Sequence, residues 1–163
     1  MGRIGDPGDI GMSQNQEVLT TENRLLAALT HGAVITQGLG LLAGVIVYVN
    51  QREKSRWAAF QALQAAVYQL ITLFLAIVLW IIWGIFYAIS FIPIIQQPEI
   101  YEDAPPPIFW IGMGSMVIPM LYMLVVGLYG LWGALKTWQG KDFRYAVIGS
   151  WLERSGLWKN GGN

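Results

Sequence analysis

The chain has 163 residues, of which 55% are hydrophobic and 12% are charged, with ten basic and ten acidic side chains. That charged fraction is about half of the ~25% found in soluble domains, and charge-free stretches such as "VYQLITLFLAIVLWIIWGIFYAISFIPII" are long enough to cross a bilayer. Zero net charge argues against a nucleic-acid partner, and the absence of cysteine excludes disulfides and thiolate metal sites. We therefore predict an all-α integral membrane protein with about three transmembrane helices.

The first predicted span follows a polar N-terminal extension. Residues 1–20 are rich in Gly, Asp and Gln and lack the pattern of a cleaved signal. A helix is predicted from about Thr21, capped by Thr20 or Thr21, to Val49, with residues 32–49 as its apolar span. Because this span contains Gly38, Gly40 and Gly44, a re-entrant or paired half-span is an open alternative that would leave the N-terminus cytoplasmic.

The second segment opens with the basic residues Arg52, Lys54 and Arg56 and could continue as a helix from Trp57 to Ile92. Such a helix would be roughly 54 Å long, which exceeds a hydrocarbon core of about 30 Å. We therefore predict that its amphipathic start, to about Gln69, lies at the membrane interface or packs against a neighbouring helix. The span proper is predicted over residues 70–91, with the three basic residues and Trp57 as interfacial anchors.

The third span is predicted over residues 108–135, after an acidic, proline-rich loop, with Trp138 as a further anchor. The membrane domain thus covers residues 21–149, and residues 150–163 form a cytoplasmic tail. Basic residues are absent from residues 93–107 but present in the 50–57 loop and after Trp132, so the latter two regions should be cytoplasmic. Three spans then place the N-terminus outside a bacterial cytoplasmic membrane.

Candidate chemistry in this sequence is sparse. No ionisable side chain lies between Arg56 and Glu99 or between Asp103 and Lys136, so a proton relay of the kind used by transporters is not expected. No catalytic pair, phosphate loop or metal cluster is apparent, and we expect no enzyme. His31 is a candidate haem or pigment ligand, although a hydrogen-bonded structural histidine is the favoured interpretation. Bound lipid is expected, and no other cofactor is predicted.

Small residues recur at helical spacing in two of the predicted spans. Gly40 and Gly44 lie in the first, and Gly127, Gly130 and Gly133 lie in the third, where they would let helices approach closely. The side chains of Gln61, Gln64 and Gln69 can add hydrogen bonds between helices. The pattern is compatible both with packing inside the chain and with contact to another subunit.

The element order resembles that of small bacterial membrane proteins related to the Tic-twenty subunit of the chloroplast import translocon, over about residues 21–149. The positions that match are Phe60, Gln64, Ala65, Tyr68 and Gln69, followed by Lys136, Gly140, Phe143, Arg144 and Tyr145. The chain departs at Gln61, Leu63, Val67 and Ala146, where that family often has His, Lys, Asn and Pro. The resemblance implies a helical membrane module and, from the plastid relative, a link to protein translocation.

Together these observations predict a non-catalytic accessory or scaffold subunit of a larger membrane complex, such as a respiratory or photosynthetic one. Docking would use the small-residue helix faces and the N-terminal extension. The predicted partners are other integral membrane subunits and the lipid bilayer. The alternative is a Tic-twenty-like component of a protein-translocation or small-solute conduit.

Overall fold

A computed structural model of the chain describes residues 19–36 and 38–155. Within these residues every regular element is helical, as predicted, and none is a strand. The elements are α1 (Thr21–Gly32), a 3₁₀ turn (Ala33–Thr36), α2 (Leu39–Gln51), α3 (Arg56–Ser90), α4 (Ile92–Gln96), α5 (Pro107–Gly114), α6 (Val117–Trp138) and α7 (Ile148–Ser155). Residues 1–18, and with them most of the predicted extension, lie outside the described residues.

The N-terminal half of the bundle is a helical hairpin formed by α1 and α2. Thr20 caps α1 by accepting a hydrogen bond from the Asn23 backbone N–H at 3.2 Å. The chain then tightens into the 3₁₀ turn and reverses near Gly38, whose φ of +33° is a conformation that favours glycine. Because α2 returns along α1, the two helices form one hairpin rather than one rod.

The contacts along α3 and α6 give the direction of each arm of the hairpin. α1 runs antiparallel to α6, since Arg24 lies against Gly140 whereas Val34 lies against Gly130. α2 runs antiparallel to α3, since Gly40 meets Gln69 whereas Gly44, one turn later, meets Ala62 and Ala66. The hairpin therefore begins and ends at the same end of the bundle.

The prediction of one continuous helix to Val49 is wrong. α2 has 13 residues, or about 20 Å of helix, which falls short of a hydrocarbon core of about 30 Å. Two helical segments in the described residues are long and apolar enough to cross a membrane, namely Arg56–Gln96 and Pro107–Trp138. We call these the two candidate spans; a count of three spans is not confirmed.

The start of α3 is the most buried part of the molecule. Ser55 caps the helix by accepting a hydrogen bond from Ala58 N–H at 3.2 Å, and small alanines then let both arms of the hairpin pack closely against residues 58–69. Of the two arrangements predicted for this amphipathic stretch, the structure has packing against neighbouring helices. It does not form a separate interfacial helix, because it is continuous with the candidate span.

Prolines divide the far part of the bundle. Pro93 follows the end of α3 at Ser90, and Pro119 lies two residues into α6, beyond the break at Gly114. Residues 97–106 connect the two candidate spans there, so we call this the loop end. Aromatic rings pack these helices together, including Trp83 stacked on Tyr87 at 5.2 Å.

After α6 the chain folds back over the opposite end of the bundle. Gly140, with φ of +72°, makes the turn and lets the Arg24 guanidinium lie against its backbone. Residues 141–147 then cross between α3 and α6 and lead into α7, whose Leu152 is fully buried. Residues 150–155 of the predicted tail are thus part of a helix packed on the domain.

Candidate functional site

Five polar side chains meet where α1, α3 and the segment after α6 come together. They are His31, Gln61, Gln64, Asp142 and Tyr145, and we call them the His31 cluster. The first three have no exposed surface and Tyr145 has 2%, whereas the Asp142 side chain is 46% exposed. We call this the cluster end of the bundle.

The hydrogen bonds of the cluster form a chain with a defined direction. The Asp142 carboxylate accepts from the Gln61 amide nitrogen at 2.8 Å, which turns the Gln61 oxygen towards His31. His31 Nε2 lies 3.1 Å from that oxygen and must donate to it, and Nδ1 then accepts from the Tyr145 hydroxyl at 2.9 Å. Because a carboxylate only accepts, Asp142 fixes the His31 tautomer through Gln61.

Gln64 attaches the returning segment to α3. Its amide nitrogen donates to the Phe143 carbonyl and to the Gln61 oxygen, both at 2.6 Å, and its own oxygen accepts from Tyr145 N–H at 3.4 Å. A second glutamine on the same helix, Gln69, donates to the Thr30 carbonyl of α1 at 2.8 Å. Both glutamines thus satisfy backbone groups that would otherwise be buried without partners.

Aromatic rings enclose the cluster. Tyr145 stacks on Tyr68 with ring centroids 4.0 Å apart and planes 8° apart, and Phe143 meets His31 edge-on at 5.5 Å. Tyr68 donates its hydroxyl proton to the Val126 carbonyl of α6 at 3.0 Å. The polar chain is therefore shielded from water on the side that faces the two candidate spans.

Ion pairs lie at the outer edge of the cluster. Arg144 contacts Asp142 at 2.9 Å and Glu153 of α7 at 2.5 Å, with about half of each side chain exposed. Exposed pairs of this kind contribute about 0–1 kcal/mol, so they orient α7 more than they stabilise it. The buried hydrogen bonds carry the larger stabilisation.

Burial keeps the cluster uncharged at its centre. It lowers the pKa of His31 to about 4, partly opposed by the hydrogen bond to Gln61, and it raises the pKa of the Tyr145 hydroxyl. Both His31 ring nitrogens are engaged by side chains, so the candidate haem or pigment ligand has no free nitrogen here. In residues 19–36 and 38–155, no group of three or more His, Asp or Glu side chains is placed to hold a metal ion.

The predicted packing glycines mostly face their own chain. A Cβ on Gly40 would overlap the Ala33 carbonyl and Gln69, and one on Gly44 would lie 3.0 Å from Ala66 Cβ. Gly130 faces Val34, and Gly133 faces Phe143 and His31. Gly127 differs, because nothing lies within 4 Å of its Cβ position.

The predicted interfacial anchors all lie at the cluster end. Arg52 and Lys54 are exposed in the turn before α3, with Arg52 3.6 Å from Glu53, and Arg56 and Trp57 begin the helix. Trp138 ends α6 with half of its surface exposed.

Sequence reasoning gave no role to Asp142 or Tyr145. Tyr145 entered only as a matching position of the resemblance, and Asp142 is an ordinary loop carboxylate in the sequence. The available signal was the pair of uncharged glutamines one turn apart, Gln61 and Gln64, on a helix opposite a lone histidine. Such a set needs further polar partners once it is buried.

Fold and cluster together define a small helical protein with two candidate membrane spans and a buried, hydrogen-bonded end. Residues 22–152 match the MamF/MmsF family, described as the magnetosome magnetite crystal formation protein family. This match covers most of the chain, and the chain belongs to that family. No curated protein and no solved structure gave a significant match.

The family match corrects the resemblance drawn from the sequence. The match is to the magnetosome family and not to proteins related to the Tic-twenty subunit. The matching positions nevertheless have a physical role, since Gln64, Tyr68, Phe143 and Tyr145 all belong to or enclose the His31 cluster. These positions contribute to the packing of this end of the bundle, and the family match gives no support to a translocation function.

Proposed function

We propose that the chain is a non-catalytic integral membrane protein of the magnetosome membrane that takes part in magnetite crystal formation. The observation that carries this proposal is the family match over residues 22–152, which includes the whole His31 cluster. The cluster itself favours a structural role, because His31 and Tyr145 are buried and bonded to one another. A respiratory or photosynthetic host has no support in the match.

The proposed orientation has the cluster end in the cytoplasm and the loop end in the compartment where the crystal grows. Basic residues favour the cytoplasmic side. At the cluster end they include Arg52, Lys54, Arg56, Lys136, Lys141 and Arg144. At the loop end Glu99, Glu102 and Asp103 are exposed, and residues 93–107 contain no Lys or Arg.

A re-entrant hairpin is part of this proposal. Both arms of the hairpin begin or end at the cluster end, so the N-terminus should share the cytoplasmic side with the C-terminal segment. This favours the alternative in which the first apolar segment is a paired half-span. The hairpin and cluster would then form a rigid base from which the two candidate spans carry the acidic loop across the membrane.

The test is complementation in a magnetosome-forming bacterium whose own family members have been deleted. We expect a fluorescent fusion of the native chain to localise to magnetosomes and to restore crystal size, measured by electron microscopy. His31→Gln, expressed at the native level, should also restore it, since no proton transfer is proposed. Unchanged crystals with correctly localised native protein would contradict the function, and loss with a folded His31→Gln chain would contradict the non-catalytic role.

Partner contacts of this protein are a separate part of the proposal. Docking through Gly40, Gly44, Gly130 and Gly133 is not included, because each already contacts its own chain. Docking of other membrane subunits through the extension stays a prediction. Deleting residues 1–18 retains the Thr20 cap, so we expect normal insertion but reduced co-purification with membrane partners. Equal recovery of those partners would exclude the extension as a docking element.

A further inference from the structure

A cavity lies beneath the tip of the hairpin, between the two candidate spans. Its volume is about 340 Å³, near the lower end of the range of roughly 300–1,000 Å³ for pockets that hold small molecules. Val34, Ile35 and Gly38 cover it from the hairpin, and residues 69–76 of α3 and 122–131 of α6 form its walls. It is separate from the His31 cluster.

The cavity is lined mainly by apolar side chains and has almost no unpaired polar groups. No Asp, Glu, Lys, Arg or His is among the described residues that line it. The Thr72 hydroxyl donates to the Tyr68 carbonyl at 2.8 Å, and the Tyr122 hydroxyl donates to the Thr72 carbonyl at 2.9 Å. Gln69 retains one oxygen without a partner in the described chain. Because most of the lining is apolar, hydrocarbon is the matching occupant of this cavity.

The surroundings of the cavity point to the source of that hydrocarbon. Its rim includes Ile35, Leu124 and Leu128, which are 63%, 55% and 57% exposed. These side chains continue the exposed apolar surface of the candidate spans, which in a bilayer faces acyl chains.

We propose that this cavity binds one acyl chain of a membrane phospholipid. The bound chain would support the hairpin tip from below by van der Waals contact, since lipid gives no hydrophobic driving force between helices. The proposal concerns a ligand site and does not rest on the role in crystal formation.

Two glycines give a matched test. Gly127 lines the cavity, so leucine there would occupy it, whereas Gly84 on α3 is not among the lining residues, and neither Cβ position has an atom within 4 Å. Each full-length chain is purified in a mild detergent with added phosphatidylcholine and phosphatidylglycerol, and bound lipid is counted by native mass spectrometry. We expect the native chain and Gly84→Leu to retain one more phospholipid than Gly127→Leu.

Equal phospholipid retention by the native chain and Gly127→Leu would overturn the proposal. So would retained mass that corresponds to detergent alone, or a second protein chain that Gly127→Leu releases. If Gly127→Leu does not fold, Leu128→Trp at the exposed rim replaces it, with Ile81→Trp on the exposed face of α3 as its control. Loss of one phospholipid is then expected only in Leu128→Trp, and retention in both would overturn the proposal.

Discussion

Buried hydrogen bonds between distant residues distinguish the cluster end of the bundle from the loop end, whereas aromatic rings pack at both ends. At the cluster end, buried hydrogen bonds join residues far apart in sequence, such as His31 to Gln61 and Gln64 to Phe143. At the loop end, the rings of Trp83, Tyr87 and Phe109 pack against one another. Hydrogen bonds weaken steeply when their distance or angle changes, whereas favourable aromatic pairs occur over ring separations of about 4.5–7 Å.

This difference predicts that the two ends respond differently to single substitutions. The cluster end has one arrangement that satisfies every member, because the Asp142 carboxylate determines the orientation of Gln61 and then the tautomer of His31. The loop end has few such restraints: the Trp83 indole donates to the Gly112 carbonyl at 3.2 Å, and that carbonyl also accepts from Ser115. Stability should therefore be more sensitive to single changes at the cluster end.

The largest expected effect comes from Gly40→Ala. The new Cβ would overlap the Ala33 carbonyl, which is backbone and cannot rotate away, so the hairpin should open or shift at a cost near the upper end of the roughly 1–3 kcal/mol typical of overpacking. Gly84→Ala is the control at the other part of the bundle, since its Cβ position is open. Thermal unfolding in detergent measures both, and equal melting temperatures would mean that α1 and α2 are not closely paired.

Gln61→Leu tests the hydrogen-bond chain directly. It removes the acceptor of His31 Nε2–H and the donor to Asp142, and a buried unpartnered group costs about 1–3 kcal/mol. Trp83→Phe, its counterpart at the loop end, should cost under about 1 kcal/mol because the Gly112 carbonyl keeps Ser115 as a donor. If Trp83→Phe proves the more damaging in chemical unfolding, the contrast between the two ends is wrong.

The pH dependence of the free energy of unfolding gives a further test of the cluster end, where His31 is buried. The folded-state pKa of His31 is lowered to about 4 from an unfolded value of 6.5, so the unfolded chain takes up a proton first as the pH falls. Stability present above pH 6.5 is then lost progressively towards pH 4, by about 2 kcal/mol at pH 5. His31→Gln should flatten this slope between pH 7 and pH 5, and an unchanged slope would show that other groups cause it.

The helical class and the close helix packing at the small residues could be predicted from the sequence, because apolar length and glycine periodicity are local signals. It could not select between a first span and a paired half-span, since that choice depends on how Gly40 meets Ala33 and Gln69 in three dimensions. The partners of Gln61 could not be predicted from the sequence either, because Asp142 is 81 residues away along the chain. A polar helix face indicates that buried hydrogen-bond partners are needed, but the sequence does not identify those partners.

The side of the membrane on which α1 begins is the most direct test of the account. The chain has no cysteine, so single cysteines at Glu22, Lys54 and Gln97, all exposed, can be compared with a membrane-impermeant thiol reagent in intact cells of a bacterium that forms no magnetosomes, where the loop end should face outwards from the cytoplasmic membrane. A re-entrant hairpin predicts that Glu22→Cys and Lys54→Cys stay unlabelled until the cells are opened, while Gln97→Cys reacts from outside. Labelling of Glu22→Cys from outside, with Lys54→Cys protected, would contradict the hairpin and restore three spans.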